Sequence, residues 1–320
     1  MPRIAEFRSS EYGTAWGRPG DQVMPKNPGK TFDGEVRIRY YIDGGFTVIY
    51  RPIRISVAES IAYNMEAAAL NPNVGYSQNN GDCPRESFYY ALQNAGGDAA
   101  KIDEPCNSDC SAGTAALLKN AGVDVPLSMW TGTAPVILEK TRAFLSLDID
   151  PDDKRQEYYL LRGDILYRPG HMAIVIEDGS YMHRIPLYAT GDVWQRLLPG
   201  TEPGTQLRAI ARGDRVNGLL PAVDIDGRLW YQTEYNGRRG WTSSRYLKPA
   251  KVVEATASVY VRYLPKVGSA IMTVLHTGDR LAGTDTFFVD SRNVAWYQVV
   301  IDADEALGWV SSKYSKLIEE

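Results

Sequence analysis

Hydrophobic and polar positions divide the chain into a mixed first part and a strand-rich second part. Val36-Arg-Ile-Arg-Tyr-Tyr41 and Phe46-Thr-Val-Ile-Tyr50 are β-prone runs separated by Ile-Asp-Gly-Gly, a pattern that predicts a hairpin. Val57, Ala58, Ile61, Ala62, Met65 and Ala69 share one helical face. Ser56 stands at the expected N-cap, with Glu59 completing a capping box. A second helix is expected from Asp109 to about Asn120, ended by Gly122, and a third over 134–146. Apolar runs at Asp164-Ile-Leu-Tyr167 and Met172-Ala-Ile-Val-Ile176 predict strands. Helices followed by strands suit an α+β domain.

Beyond residue 186 the chain repeats itself. Val193-Trp-Gln-Arg-Leu-Leu-Pro199 aligns with Val259-Tyr-Val-Arg-Tyr-Leu-Pro265, and Gly213-Asp-Arg-Val216 with Gly278-Asp-Arg-Leu281. Trp230-Tyr-Gln aligns with Trp296-Tyr-Gln, and Gly240-Trp-Thr-Ser-Ser-Arg-Tyr246 with Gly308-Trp-Val-Ser-Ser-Lys-Tyr314. The offsets are 66, 65, 66 and 68 residues. Short β-branched and aromatic runs alternate with Gly, Asp and Asn turns in each copy, which reads as a compact β-barrel. The four ordered blocks resemble bacterial SH3-like domains. That resemblance implies binding of cell-wall peptide or glycan, while most of the Trp and Tyr side chains are expected to fill the small cores.

Composition narrows the function. The 320 residues are 44% hydrophobic and 23% charged, which excludes a disordered chain, and the net charge of −4 offers no basic field for nucleic acid. Three Cys cannot build a disulfide scaffold, and three His leave little for a metal site; no metal and no cofactor are expected. No apolar run reaches the ~18 residues of a membrane span, so no membrane insertion is expected. The first residues lack an apolar signal core, which predicts synthesis in the cytosol.

Candidate chemistry centres on Cys110. In Ser108-Asp-Cys-Ser-Ala-Gly113 it sits at a predicted helix start, where N–H groups and the helix dipole favour a thiolate. His171 begins an apolar strand, and His183 lies 12 residues later, past Glu177-Asp-Gly-Ser180. A hairpin there would set His183 beside His171 as the group that holds its tautomer. Thiolate, imidazole and polar orienter form the constellation of papain-like acyl transfer. Cys83 and Cys106 can pair, bind a metal with other ligands, or stay as thiols. His276 reads as a solvated turn residue.

Residues 54–185 resemble the NlpC family of papain-like cell-wall cysteine peptidases. The resemblance rests on Asp109-Cys-Ser111 with Thr114-Ala-Ala-Leu-Leu-Lys-Asn-Ala-Gly-Val123, on Arg162-Gly-Asp-Ile-Leu-Tyr167, and on Gly170-His-Met-Ala-Ile-Val-Ile176. Leu70-Asn-Pro-Asn-Val-Gly-Tyr-Ser-Gln78 is similar to the lead-in of phage lysins of this type. The resemblance implies Cys110 as nucleophile, His171 as general base and acid, His183 as orienter and Tyr76 at the oxyanion site. Asp109, Ser111 and Trp130 are the substrate-binding candidates. The expected fold class is an α+β papain-like catalytic domain followed by two small all-β SH3-like barrels. The expected boundaries are an N-terminal extension with a hairpin over 1–53, the peptidase over 54–185, and barrels over 186–249 and 250–320.

The implied function is hydrolysis of a peptide-stem amide bond in bacterial peptidoglycan, after release or phage delivery to the wall. Two alternatives use the same motifs: an inactive wall-binding or phage-tail protein, and a deamidase or acyltransferase toxin.

Overall fold

The structure, a computed structural model, describes all residues except 1, 23, 25–28, 42–44, 79–83, 150–159, 180–183, 226, 302–305 and 320. The chain forms two compact units, 1–182 and 183–320. Among the described residues no helix is long and apolar enough to cross a membrane.

In the first unit, β1 (Arg3–Phe7), β2 (Val36–Tyr40) and β3 (Val48–Pro52) precede α1 (Ile55–Leu70) and β4 (Val74–Tyr76). Then come α2 (Ser87–Asn94), β5 (Cys106–Ser108), α3 (Cys110–Asn120), α4 (Ala134–Thr141), β6 (Phe144–Asp148), β7 (Ile165–Arg168) and β8 (His171–Glu177). Six strands form one antiparallel sheet in the order β2-β1-β8-β7-β3-β6, while β4 and β5 pair in parallel. Alternation along the strands gives the sheet two apolar faces. One carries Ala5, Phe7, Met172, Ile174 and Ile176 with the helices. The other carries Ile4, Phe46, Leu166, Ala173 and Val175.

This topology corrects three sequence expectations. The runs at 36–41 and 46–50 are strands but not a hairpin, because β1, β8 and β7 lie between β2 and β3. Residues 1–53 are not an extension: they supply three of the six strands of the main sheet. β8 likewise forms no hairpin with the strand after it, since β1 and β7 occupy both of its edges.

The helices follow the sequence more closely. α3 is capped by Asp109, and the left-handed Gly122 follows its end. α1 starts at Ile55 with Arg54 as N-cap and no side-chain cap, so the Ser56 capping box is not formed. The third helix ends at Thr141, because Arg142 turns left-handed (φ 52°) into β6. α2 falls in the 80–106 stretch, where no helix was expected.

In the second unit, β9 (Arg184–Ala189), β10 (Val193–Arg196), β11 (Gln206–Ile210), β12 (Arg215–Ile225), β13 (Arg228–Tyr235), β14 (Arg238–Ser243) and β15 (Leu247–Pro249) form the first copy. The second comprises β16 (Lys251–Ala255), β17 (Val259–Arg262), β18 (Ile271–Leu275), β19 (Arg280–Val289), β20 (Ala295–Ile301), β21 (Ala306–Ser311) and β22 (Ser315–Glu319). The sheet orders, β11-β10-β14-β13-β12-β9-β15 and β18-β17-β21-β20-β19-β16-β22, are the same topology twice. Matching turns confirm the duplication. Gly213 and Gly278, at φ 91° and 90°, donate to the Ala189 and Ala255 carbonyls, each at 2.8 Å. Among the described residues no strand pairing joins the two ends of either sheet, so neither copy is the closed barrel expected.

One close approach fixes the start of α3. A Cβ on Gly113 would lie 2.2 Å from the ring of Phe7, which is itself buried on β1. Gly113→Ala is therefore expected to lower stability by about 1–3 kcal/mol through overpacking, read from denaturant midpoints. A midpoint unchanged from the parent would show that the helix start has room to move.

Candidate active site

α3 begins at Cys110 because Asp109 caps it. The Asp109 carboxylate accepts from the N–H groups of Ser111 and Ala112, both at 2.9 Å, and from Ser111 Oγ at 2.8 Å. Its second oxygen pairs with Arg85 at 2.7 Å. Arg85 also donates to the Met129 carbonyl and accepts from Ser108 Oγ on its own carbonyl. One guanidinium thus joins the cap of the cysteine helix to the loop that bears Trp130. That loop is held a second time by Tyr167, whose hydroxyl donates to the Thr131 carbonyl at 3.0 Å. Trp130 itself is exposed. The roles of Asp109 and Ser111 are visible here as capping, and neither is open to solvent.

Cys110 is only 8% exposed. Burial pushes its thiol up to about 12, and the Asp109 charge adds to the rise. Backbone N–H groups of Met172 and Ser111 and the Arg85 charge pull the other way without prevailing. The helix start therefore does not leave a resting thiolate, contrary to the sequence expectation. Desolvation outweighs the helix terminus, and Cys110 waits as a thiol.

The Met172 N–H is the link to His171. Pairing of β1 with β8 stops at Ala5↔Ile174, while β1 and β2 stay paired through Phe7↔Val36. At the open end of β8 the Met172 N–H favours the Cys110 thiolate. His171 precedes Met172 and stacks on Phe46 (ring centroids 6.0 Å apart). Cys110 lies with the helix face of the sheet, and the imidazole with the Phe46 face.

His171 Nε2 lies 2.7 Å from Glu6 Oε2 on β1. The Glu6 side chain is fully buried. Its other oxygen accepts from Arg39 Nε at 2.9 Å and from Arg37. Burial alone would raise this carboxyl, but the hydrogen bonds and charges of His171 and Arg39 hold it well below the usual carboxylate range. Glu6 is therefore ionised and acts only as an acceptor. The hydrogen bond to Glu6 therefore comes from a protonated Nε2.

Sequence reasoning gave the partner role to His183, which lies outside the described residues. Glu6 was missed because it is 165 residues from His171. The one available signal was a lone acid in the apolar run Ile4-Ala-Glu-Phe7. Arg85 was missed too, for want of a motif.

Tyr76 ends β4, paired with Ser108 two residues before the cysteine. Burial pushes its phenol up to about 12. It therefore keeps its proton at neutral pH. Its oxygen accepts from Gln78 Nε2 at 2.8 Å, which leaves its own O–H as a donor. The Tyr76 N–H donates to Glu35 Oε2 at 2.8 Å. Glu35 is buried and raised to about 8, first by desolvation and then by the proton it shares with Glu11. The Cys106 thiol donates to the Asn73 carbonyl at 3.4 Å, and Cys83 lies outside the described residues. Among the described residues no group of three or more His, Cys, Asp and Glu is placed to hold a metal.

Comparison with known families gives the class of the chain. The endolysin-like domain family matches residues 7–182, more than half of the chain, and the chain belongs to it. The match begins one residue after Glu6. No curated protein matches the chain. Among solved structures, NlpC2 of Trichomonas vaginalis is similar over 43% of this chain at 10% identity, with a TM-score of 0.26. The similarity spans about half, 49%, of the NlpC2 chain. Ly7917, solved with the hydrolysing product of MDP, is similar over 42% of this chain and 64% of its own at 17% identity, with a TM-score of 0.18.

The two unusual carboxyls act on stability with opposite signs. The depressed Glu6 contributes in full above its unfolded value of about 4.5, and this contribution is lost as pH falls toward its lower folded value. The raised Glu35 contributes in full below about 4.5, and this contribution is lost as pH rises to about 8. Thermal melting across pH 3–9 should fall on both sides of a mildly acidic maximum. Glu35→Gln should flatten the decline between pH 5 and 8, and an unchanged slope would rule out the shared proton.

Proposed function

We propose that the chain is a cysteine peptidase or amidase that cuts an amide bond in the peptide stem of bacterial peptidoglycan, with Cys110, His171 and Glu6 as its triad. The observation that carries this reading is the buried Glu6–His171 pair, next in sequence to Met172, whose N–H favours the Cys110 thiolate. Family membership supplies the substrate class.

In the proposed reaction the Cys110 sulfur attacks the scissile carbonyl carbon as its proton passes to His171 Nδ1. The carbonyl oxygen becomes an oxyanion, for which the Cys110 N–H and the Tyr76 hydroxyl are the donors. Collapse breaks the C–N bond, and His171 returns the proton to the departing amine. His171 then takes a proton from water, the hydroxide attacks the thioester, and a carboxylate and the thiol are released. Glu6 never accepts the proton; it fixes the Nε2–H tautomer and stabilises the imidazolium. Because the resting thiol is held high by burial, deprotonation is coupled to attack rather than completed beforehand. Trp130 provides an exposed face beside the cap for the substrate. The duplicated β unit holds the enzyme on the wall and raises local substrate concentration.

Purified protein acting on isolated walls should release muropeptides whose masses identify the new amine and carboxyl ends. Cys110→Ala should abolish release, and retained hydrolysis would remove the nucleophile assignment. Glu6→Gln should lower kcat by about 10²–10⁴-fold, as loss of the orienting charge does in a triad, with KM little changed. Equal kcat in Glu6→Gln and the parent would assign the orienter elsewhere.

A further inference from the structure

Residues 10–20, between β1 and β2, form a strap laid along the end of β4. The Gln78 N–H donates to the Ala15 carbonyl at 2.7 Å, and the Gly17 N–H donates to Ser77 Oγ at 3.4 Å. A Cβ on Gly17 would strike the Tyr76 carbonyl. Three successive residues, Tyr76 to Gln78, are thus held in register with the strap. Farther along, the Gly20 N–H donates to the Cys106 carbonyl on β5 at 3.1 Å. Two carboxyls tie the strap down. Glu11 Oε1 accepts from the Arg18 N–H at 3.1 Å and closes the base of the loop. Glu35 accepts from the Glu11 N–H with one oxygen and from the Tyr76 N–H, at 2.8 Å, with the other. One side chain therefore joins the strap to the strand that ends in Tyr76.

The carboxyl groups of Glu11 and Glu35 also bond each other, and two carboxylates in contact repel, so one proton stays between them. Burial puts it on Glu35, raised to about 8. Burial works to raise Glu11 too, but the hydrogen bond from Glu35 lowers it. The other groups around Glu35 do not replace that proton. Arg8, whose N–H donates to the Glu35 carbonyl, pairs its guanidinium with Asp33 at 2.6 Å, and Arg18 pairs with Asp21 at 3.5 Å. Asn107 on β5, which faces Glu35 across Gly75, is neutral. Gln78 carries the seating of the strap to the site, since its Nε2 donates to Tyr76 Oη at 2.8 Å. A phenolic O–H lies on one side of its oxygen or the other, and a donor on one side leaves the other for the proton. The accepted bond also polarises the O–H and strengthens it as a donor.

We propose that Gln78 is a positioning residue for the amide cleavage: seated by the strap that Glu11 and Glu35 latch, it fixes the side of Tyr76 Oη from which the O–H reaches the oxyanion. This rests on the proposed function and adds to it a residue and a proton-dependent latch outside the triad. The direction of the pH dependence follows from Glu35. Below about 8 the shared proton closes the latch. As pH rises through about 8 the proton leaves, the two carboxylates repel, and Gln78 loses its register with the strap. Cys110 and Tyr76, each at about 12, do not titrate in that range.

Two measurements on the full chain test this. Hydrogen exchange over residues 10–20, corrected for the intrinsic pH dependence of amide exchange, should lose about tenfold protection between pH 6 and pH 9 in the parent. Glu35→Gln, whose amide N–H takes the place of the shared proton, should show no such step. Equal protection of the parent at both pH values would overturn the latch. In hydrolysis of soluble wall fragments, Gln78→Ala should lower kcat about tenfold with KM little changed, because the donor to the oxyanion loses its aim. Gln78→Glu should lower kcat further, since a carboxylate accepts the Tyr76 proton that the oxyanion needs. A merely structural role would rank the similarly shaped Glu above Ala. Gly17→Ala, whose methyl group has no room against the Tyr76 carbonyl, should show the reduced kcat at every pH. The alkaline decline of kcat in the parent should move to higher pH in Glu35→Gln, and a decline left in place would overturn the link between latch and site. Equal kcat in Gln78→Ala and the parent would overturn the role of Gln78 alone. A parent that cuts no wall fragment, with the exchange step present, would fail the hydrolase reading and the role of Gln78 together, and the latch would stand.

Discussion

The first unit is organised around one buried carboxylate. Glu6 lies in the main sheet with no solvent, and burying an ionised carboxyl is tolerated only when every lone pair is answered. Arg37, Arg39 and His171 answer it. Two of these partners come from the neighbouring β2 and the third from β8, so the pairing locks three strands in register. Stripping the carboxylate away would strand two guanidiniums at a cost of about 3–5 kcal/mol. The same constraint orients the His171 ring, so that the group holding the sheet together also positions the imidazole.

Cys110 is governed by a different balance. A helix terminus, two backbone N–H groups and Arg85 favour a thiolate at Cys110. Burial and the capping carboxylate oppose it and win. The cap cannot be dispensed with, because Asp109 satisfies the first N–H groups of α3 and ties them through Arg85 to the Trp130 loop. A thiol kept neutral until a base is aligned is also protected from idle oxidation. The opening between β1 and β8 lets the sulfur reach the end of the strand that carries the base.

The second unit shows what duplication preserves. The two seven-stranded sheets share one order, and the Gly-Asp turns match to the bond. Buried tryptophans explain the Trp-Tyr-Gln blocks as core. The exposed rings at 194, 246, 260 and 314 are not explained by packing.

Local chemistry decided what the sequence could reveal. The start of α3 was readable because a cap acts within three residues, and the repeat was readable because each copy uses the same short-range turns. Position within the first unit was not readable in this way. The strands at 36–40 and 48–52 were legible as strands, yet an Asp-Gly-Gly link between them suggested a hairpin that three intervening strands replace. Glu6 looked like one acid in an apolar run, and only strand order brings it to His171 across 165 residues. The state of Cys110 was misread for the same reason: a helix start is visible in sequence, but desolvation depends on what the rest of the chain packs around it. By itself the sequence determined the helix that starts at Cys110 and the repeat, both set by short-range bonds and spacing. The tertiary structure alone decided which carboxylate partners the histidine, because burial and pairing across a sheet are sums over residues far apart in the chain.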